Sequence, residues 1–83
     1  MKEINYEKFL SDLVGPLILH PEEMVVKKFS EEDDVITIQI MVHADDVGRI
    51  IGRKGRIINS VRTIAYACAA RYGKKIEISV DSF

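Results

Sequence analysis

The stretch Gly48-Arg49-Ile50-Ile51-Gly52-Arg53-Lys54-Gly55-Arg56-Ile57-Ile58 gathers the residue types that bind a phosphate chain. Gly52 and Gly55 bracket two cations. Glycine reaches backbone conformations closed to other residues and, having no side chain, lets a sugar–phosphate backbone come close. Arg53 adds a planar, permanently charged donor fork, and Lys54 a mobile point charge at the same place. A helix starting near Arg56 adds its unpaired first amides and the positive end of its dipole. Ile51 and Ile58, beside the loop, supply apolar walls for bases to lie against. This is the chemistry of binding. The G-x-x-x-x-G-K-[ST] nucleotide loop is absent, since Gly55 is followed by Arg56-Ile57. No paired carboxylates, Cys/His pair or Ser/His arrangement offers a nucleophile or an acid–base couple, so no enzyme is expected. His20 and His43 are far apart in sequence and lack Cys or acid partners at ligand spacing; neither a metal nor a cofactor is expected. The acidic run Glu31-Glu32-Asp33-Asp34 lacks the spacing and turn glycine of a calcium loop.

Charge distribution supports a polyanion as partner. The net charge of the 83 residues is −1, but it is unevenly spread. Residues 1–43 carry four bases against nine acids, and residues 44–83 eight bases against four acids. The stretch from Arg49 to Arg62, both included, holds five bases and no acid. Local charge decides where a polyanion docks, whereas net charge bears more on solubility. The length implies one domain, spanning 1–83, and 47% apolar with 30% charged residues fits a folded rather than a disordered chain. Cys68 is alone, which excludes an internal disulfide and fits a reducing compartment. The first residues show no leader-like apolar core, and no apolar run approaches the roughly 18 residues of a membrane span. The expected location is the cytoplasm, without membrane insertion.

The elements that must position the loop read as follows. Tyr6, Phe9, Leu10, Leu13, Val14 and Leu17 share one helical face, Asn5 is a candidate N-cap, and Gly15-Pro16 is expected to end or kink the helix. Residues 24–29 read as a strand, 30–34 as a hairpin loop, and 35–42 as a strand with Ile36, Ile38, Ile40 and Val42 on its apolar face. Asp45-Asp46 opens a short helix, where acids suit the dipole, and Val47, Ile50 and Ile51 give that helix an apolar side. A third helix starts near Arg56, with Ile57, Ile58, Val61, Ile64, Ala65, Cys68 and Tyr72 as its buried stripe and Gly73 as its stop. Arg62 falls on the solvent side, able to steer a polyanion. Tyr66, Ala67 and Ala70 fall off the stripe on an outer face open to another chain. A last strand places Ile76, Ile78 and Val80 inward. The order α-β-β-α-α-β makes an α+β fold, a three-stranded sheet with three helices on one face.

Ile51-Gly52-Arg53-Lys54-Gly55-Arg56-Ile57-Ile58 matches in full the I-G-x-x-G-x-x-I signature of KH domains, and the element order resembles the type II KH topology over essentially the whole chain. A free-standing domain of this length, with a Pro-Leu…His-Pro-Glu segment after its first helix, resembles the small bacterial KH proteins of the KhpA (YlqC) group. The resemblance implies binding of short single-stranded RNA, about four nucleotides at a time. It implies that Gly52, Arg53, Lys54 and Gly55 clamp the backbone. Gly48, Arg49 and Ile51 would line the groove from the preceding helix, Arg56 would add a phosphate contact, and Ile58 a wall. Ile38 and Ile40 would approach the bases from the sheet. It further implies a homodimer, pairing with a larger KH protein of the KhpB (Jag) type, and an RNA chaperone or regulatory role linked to cell-envelope growth and division. The pattern admits single-stranded DNA as well as RNA. It also admits an alternative in which the chain is an interaction subunit and its partner holds the RNA.

Overall fold

The computed structural model describes residues 4–83. Residues 1–3, part of the segment that argues against a leader, lie outside the described residues. The first helix, α1, spans Tyr6–Val14. Asn5 caps it as expected: its Oδ1 accepts the Lys8 amide at 3.1 Å and its carbonyl the Phe9 amide at 2.9 Å. Tyr6, Leu10 and Val14 are buried, with Phe9 and Leu13 packed beside them. Pro16, with no amide to donate, then turns the chain through a 3-10 segment, Gly15–Leu17. The tighter winding takes Leu17 off the helical stripe. It is 40% exposed, not buried as its spacing predicts, and Ile18 fills the core instead.

Strands β1, Val25–Glu32, and β2, Val35–Val42, pair antiparallel, and β2 pairs in parallel with β3, Lys75–Ser82. The sheet order is β1-β2-β3. Ile36, Ile38, Ile40 and Val42 turn to the helices and are essentially inaccessible, with Ile76 and Ile78 alongside them. The central strand therefore carries the core.

The polarity of residues 30–34 predicts a five-residue loop, but pairing continues to Glu32 opposite Val35. The turn contracts to Asp33 and Asp34, both at positive φ (52° and 62°). Two left-handed residues in succession form the hairpin turn whose twist matches that of the strands, and Asp tolerates that region better than most residues. Glycine tolerates it better still. Asp34→Gly is expected to raise stability by about 0.5 kcal/mol and Tm by about 3 °C, read by thermal unfolding. A lower Tm would show that the aspartate side chain matters more than its strain. Glu31 also pairs with Lys28 and Lys74, and the hydrogen bond from Lys74 is the main cause holding its carboxyl below the usual range. One register shift occurs between Lys28 and Ser30, leaving Phe29 as the extra, exposed residue of a bulge in the edge strand.

The helices α2, Val47–Ile51, and α3, Arg56–Ala70, follow β2. Of the predicted α3 stripe, Ile58, Val61 and Ala65 are buried, while Ile57, Cys68 and Tyr72 are half-buried. Ile64 is instead 44% exposed, and Ala69 completes the stripe in its place. Gly73 ends the helix as expected, at φ 70°. The Lys74 amide reaches back to the Ala69 carbonyl (3.0 Å) and the Gly73 amide to that of Ala70 (3.1 Å), the paired bonds of a Schellman stop. The expected α-β-β-α-α-β order is the observed one, with the three helices on one face of a mixed sheet. Among the described residues, no helix is long and apolar enough to cross a membrane.

Candidate nucleic-acid interface

Helix α2 is only five residues long, anchored by Ile50, which is fully buried. It ends because Gly52 swings to φ 75°, ψ 173°, a region essentially reserved for glycine. The Gly52 amide still bonds the Gly48 carbonyl at 2.9 Å, so the exit is sharp and fixed. A Cβ at Gly52 would lie 2.6 Å from Ile57 Cγ1, so the missing side chain lets the first turn of α3 pack against the loop. Arg53, Lys54 and Gly55 form one tight turn, with Lys54 at φ 58° and Gly55 at φ 73°. Gly55 caps α3 without a side chain, leaving its first turn uncovered by any capping group.

Arg53, Lys54 and Arg56 are exposed around this turn, and among the described residues none of them pairs with an acid. Gly48 is exposed with no atom near the place of a Cβ, leaving an open strip on α2. Ile51 is half-buried and keeps an accessible edge, whereas Ile58 is 3% exposed. Arg49 is half-exposed and lies 3.8 Å from Asp46. The structure thus brings together Gly48, Arg49, Ile51, Gly52, Arg53, Lys54, Gly55 and Arg56 along α2 and the start of α3. Two expectations are corrected. Ile38 and Ile40 are fully buried beneath the helices and present no edge to a base. Arg62 is half-buried, and its Nη2 donates to the Ile78 carbonyl at 3.0 Å, so it ties α3 to β3 and is not a free steering charge.

The sequence model of the KhpA/KhpB KH domain matches residues 7–80, nearly the whole described chain and all of the loop. The chain belongs to the KhpA/KhpB KH-domain family. Its relatives include the RNA-binding protein KhpA of Listeria monocytogenes, 36% identical over 74 residues that cover 89% of this chain and 96% of that protein. The RNA-binding protein KhpA of Bacillus subtilis is 30% identical over 80 residues, 96% of this chain and 98% of that protein. That of Streptococcus pneumoniae is 36% identical over 75 residues, 90% and 92% of the two chains. No solved structure matches the chain significantly. KH domains are nucleic-acid-binding modules, not catalysts.

Within this KH domain, sequence reasoning missed how α2 is held. Asp45-Asp46 reads as a pair of acids at a helix start, but Asp46 is wholly buried and makes no cap to its own helix. Its carboxylate accepts the amides of Leu19 (2.8 Å) and His20 (2.9 Å), from the segment between α1 and β1. Burial pushes the Asp46 pKa up, but those two hydrogen bonds, with the charges of His20 and Arg49, outweigh it and hold the carboxyl below the usual range. A depressed carboxyl stabilises the fold above its unfolded pKa and loses that contribution as pH falls through the folded value. Asp46→Asn is therefore expected to lower Tm by about 10 °C at neutral pH. The difference from the native protein should narrow below about pH 4. Thermal unfolding across pH reads both. Glu31 titrates in both proteins and cancels. A Tm difference that stayed constant with pH would remove the ionised carboxylate from the account.

Proposed function

We propose that this chain binds short single-stranded RNA across α2 and the start of α3, with the turn Gly52-Arg53-Lys54-Gly55 as backbone clamp. The observation that carries the reading is the turn itself. Two glycines at positive φ expose backbone to a close approach, while Arg53, Lys54 and Arg56 stand exposed around it and, among the described residues, unpaired by acids. Phosphates sit on the turn, Gly48 and Arg49 border the strand, and the edge of Ile51 meets a base, with Ile58 beneath it. The relatives' name, RNA-binding protein KhpA, supports RNA over single-stranded DNA as the natural ligand. The place of action is the cytoplasm. As the resemblance implies, the role is that of an RNA chaperone or post-transcriptional regulator serving cell-envelope growth and division. Fluorescence anisotropy with a labelled single-stranded RNA, its DNA counterpart and an RNA duplex tests the reading: tightest binding to the single-stranded RNA supports it, and equal affinity for the duplex overturns it.

The outer face of α3 favours assembly with a second KH domain, either another copy or a larger KhpB-type protein. Tyr66, Ala67 and Ala70 are exposed there, joined by Ile64, which the sequence reading places in the core. Tyr66 and Ala70 also border an apolar groove with Val35 and Ile76. Small residues beside an exposed aromatic allow close approach by another chain. If the partner held all the RNA, the isolated chain would fail the anisotropy experiment while the complex passed it.

A further inference from the structure

The geometry points to a divalent-metal site of zinc type built from His20, His43 and Asp45, at the junction where β2 turns into α2. The two histidines are 23 positions apart, but the fold sets their rings with centroids 4.4 Å apart and planes inclined by 34°. Asp45 Oδ2 lies 3.9 Å from His20 Nε2 and 3.5 Å from His43 Nδ1. One ligand atom from each of the three residues falls within 4.8 Å of the others. Zinc bonds of about 2.0–2.1 Å in a tetrahedron put ligand atoms roughly 3.3 Å apart, so the two distances to Asp45 need to close by only about 0.6 Å or less.

The backbone beneath it is already held. Asp46 is buried and accepts the Leu19 and His20 amides, which fixes the His20 segment against the start of α2. The Asp45 amide donates to His43 Nδ1 at 3.0 Å, so that nitrogen carries a lone pair, and an incoming cation replaces one exposed hydrogen bond. The chemistry of the donor set selects the class of metal. Two imidazoles and one carboxylate suit zinc, whereas magnesium and calcium favour all-oxygen shells. The histidines are half-buried and Asp45 exposed, which leaves room for water in the remaining position. This inference does not depend on RNA binding. An ion here would pin the segment between α1 and β1 to α2, the helix that leads into the loop.

A second acidic set competes for the same ring, since His20 Nδ1 lies 3.8 Å from Glu22 and 3.6 Å from Glu23. Titrating Zn2+ into metal-free protein by calorimetry separates the two. One ion per chain is expected. His20→Ala and His43→Ala should each weaken binding at least tenfold and Asp45→Asn several-fold, with Glu22→Gln/Glu23→Gln and Cys68→Ser close to native. Circular dichroism of the metal-free variants checks that they fold. In the native protein, substoichiometric Co2+ should broaden the imidazole NMR signals of His20 and His43 together, a readout that needs no variant. No Zn2+ binding, binding indifferent to His43→Ala, or binding lost with the Glu22/Glu23 pair or with Cys68 would overturn the site.

Discussion

Arg53→Asp combined with Lys54→Asp is expected to weaken single-stranded RNA binding about a hundredfold while leaving Tm within about 2 °C of native. The two substitutions swing four units of charge at the point where the chain is most open to a phosphate. Neither residue has a partner to lose, since both are exposed and, among the described residues, unpaired by acids. Asp is also the right probe for backbone reasons: Lys54 sits at φ 58°, a region Asp tolerates better than most residues. The salt dependence gives an independent check. About three phosphate contacts on a single strand imply a loss of roughly twentyfold between 50 and 200 mM salt for the native protein, and a much flatter response for the variant. Equal binding by the two proteins would remove the turn from the RNA site and move attention to a partner protein.

The loop was legible in the sequence because its information is local. Glycines at fixed spacing, cations between them and isoleucines outside them act within one turn of chain, and the structure needs nothing distant to explain Gly52 or Gly55. Strand β2 was legible for a related reason: a two-residue period survives unaltered when one face is fully buried. What the sequence concealed is long-range. Asp46 looks like a dipole acid because its partners, Leu19 and His20, lie 27 and 26 positions away. His20 and His43 look unrelated until that same carboxylate seats one against the other. Arg62 looks solvated because its acceptor is a main-chain carbonyl, which no residue type announces. Ile64 and Ala69 exchange places relative to the helical wheel because size predicts burial poorly on a helix with two apolar faces, one against the sheet and one turned outward. At the hairpin composition misleads: polar residues predict a loop, but an edge strand tolerates them, and only the two aspartates turn.

Gly52→Ala is expected to destabilise the fold by about 3 kcal/mol and lower Tm by about 15 °C, the largest stability effect among substitutions in the loop. Two causes act together. Alanine is strained at φ 75°, ψ 173°, and its Cβ would fall 2.6 Å from Ile57 Cγ1 and 2.9 Å from Ile57 Cβ. Ile57 cannot swing clear, because it is branched at Cβ and lies in the first turn of α3. Gly55→Ala should cost only about 1 kcal/mol: its φ of 73° is left-handed, but the nearest atom to a new Cβ is Asn59 Nδ2 at 3.6 Å. Gly48→Ala reverses the sign. That residue is helical, with no atom within 4 Å of a new Cβ, and alanine should stabilise α2 by about 0.5–1 kcal/mol. Thermal unfolding of the three variants should therefore rank Gly48→Ala above native, and native above Gly55→Ala and Gly52→Ala. RNA affinity should not follow that rank. A methyl at position 48 stands on the open strip where the bound strand is proposed to run, so the most stable variant should bind RNA less tightly than native. Unchanged affinity in Gly48→Ala would mean that the strand does not cross α2 there, and would confine the RNA contact to the turn and the start of α3.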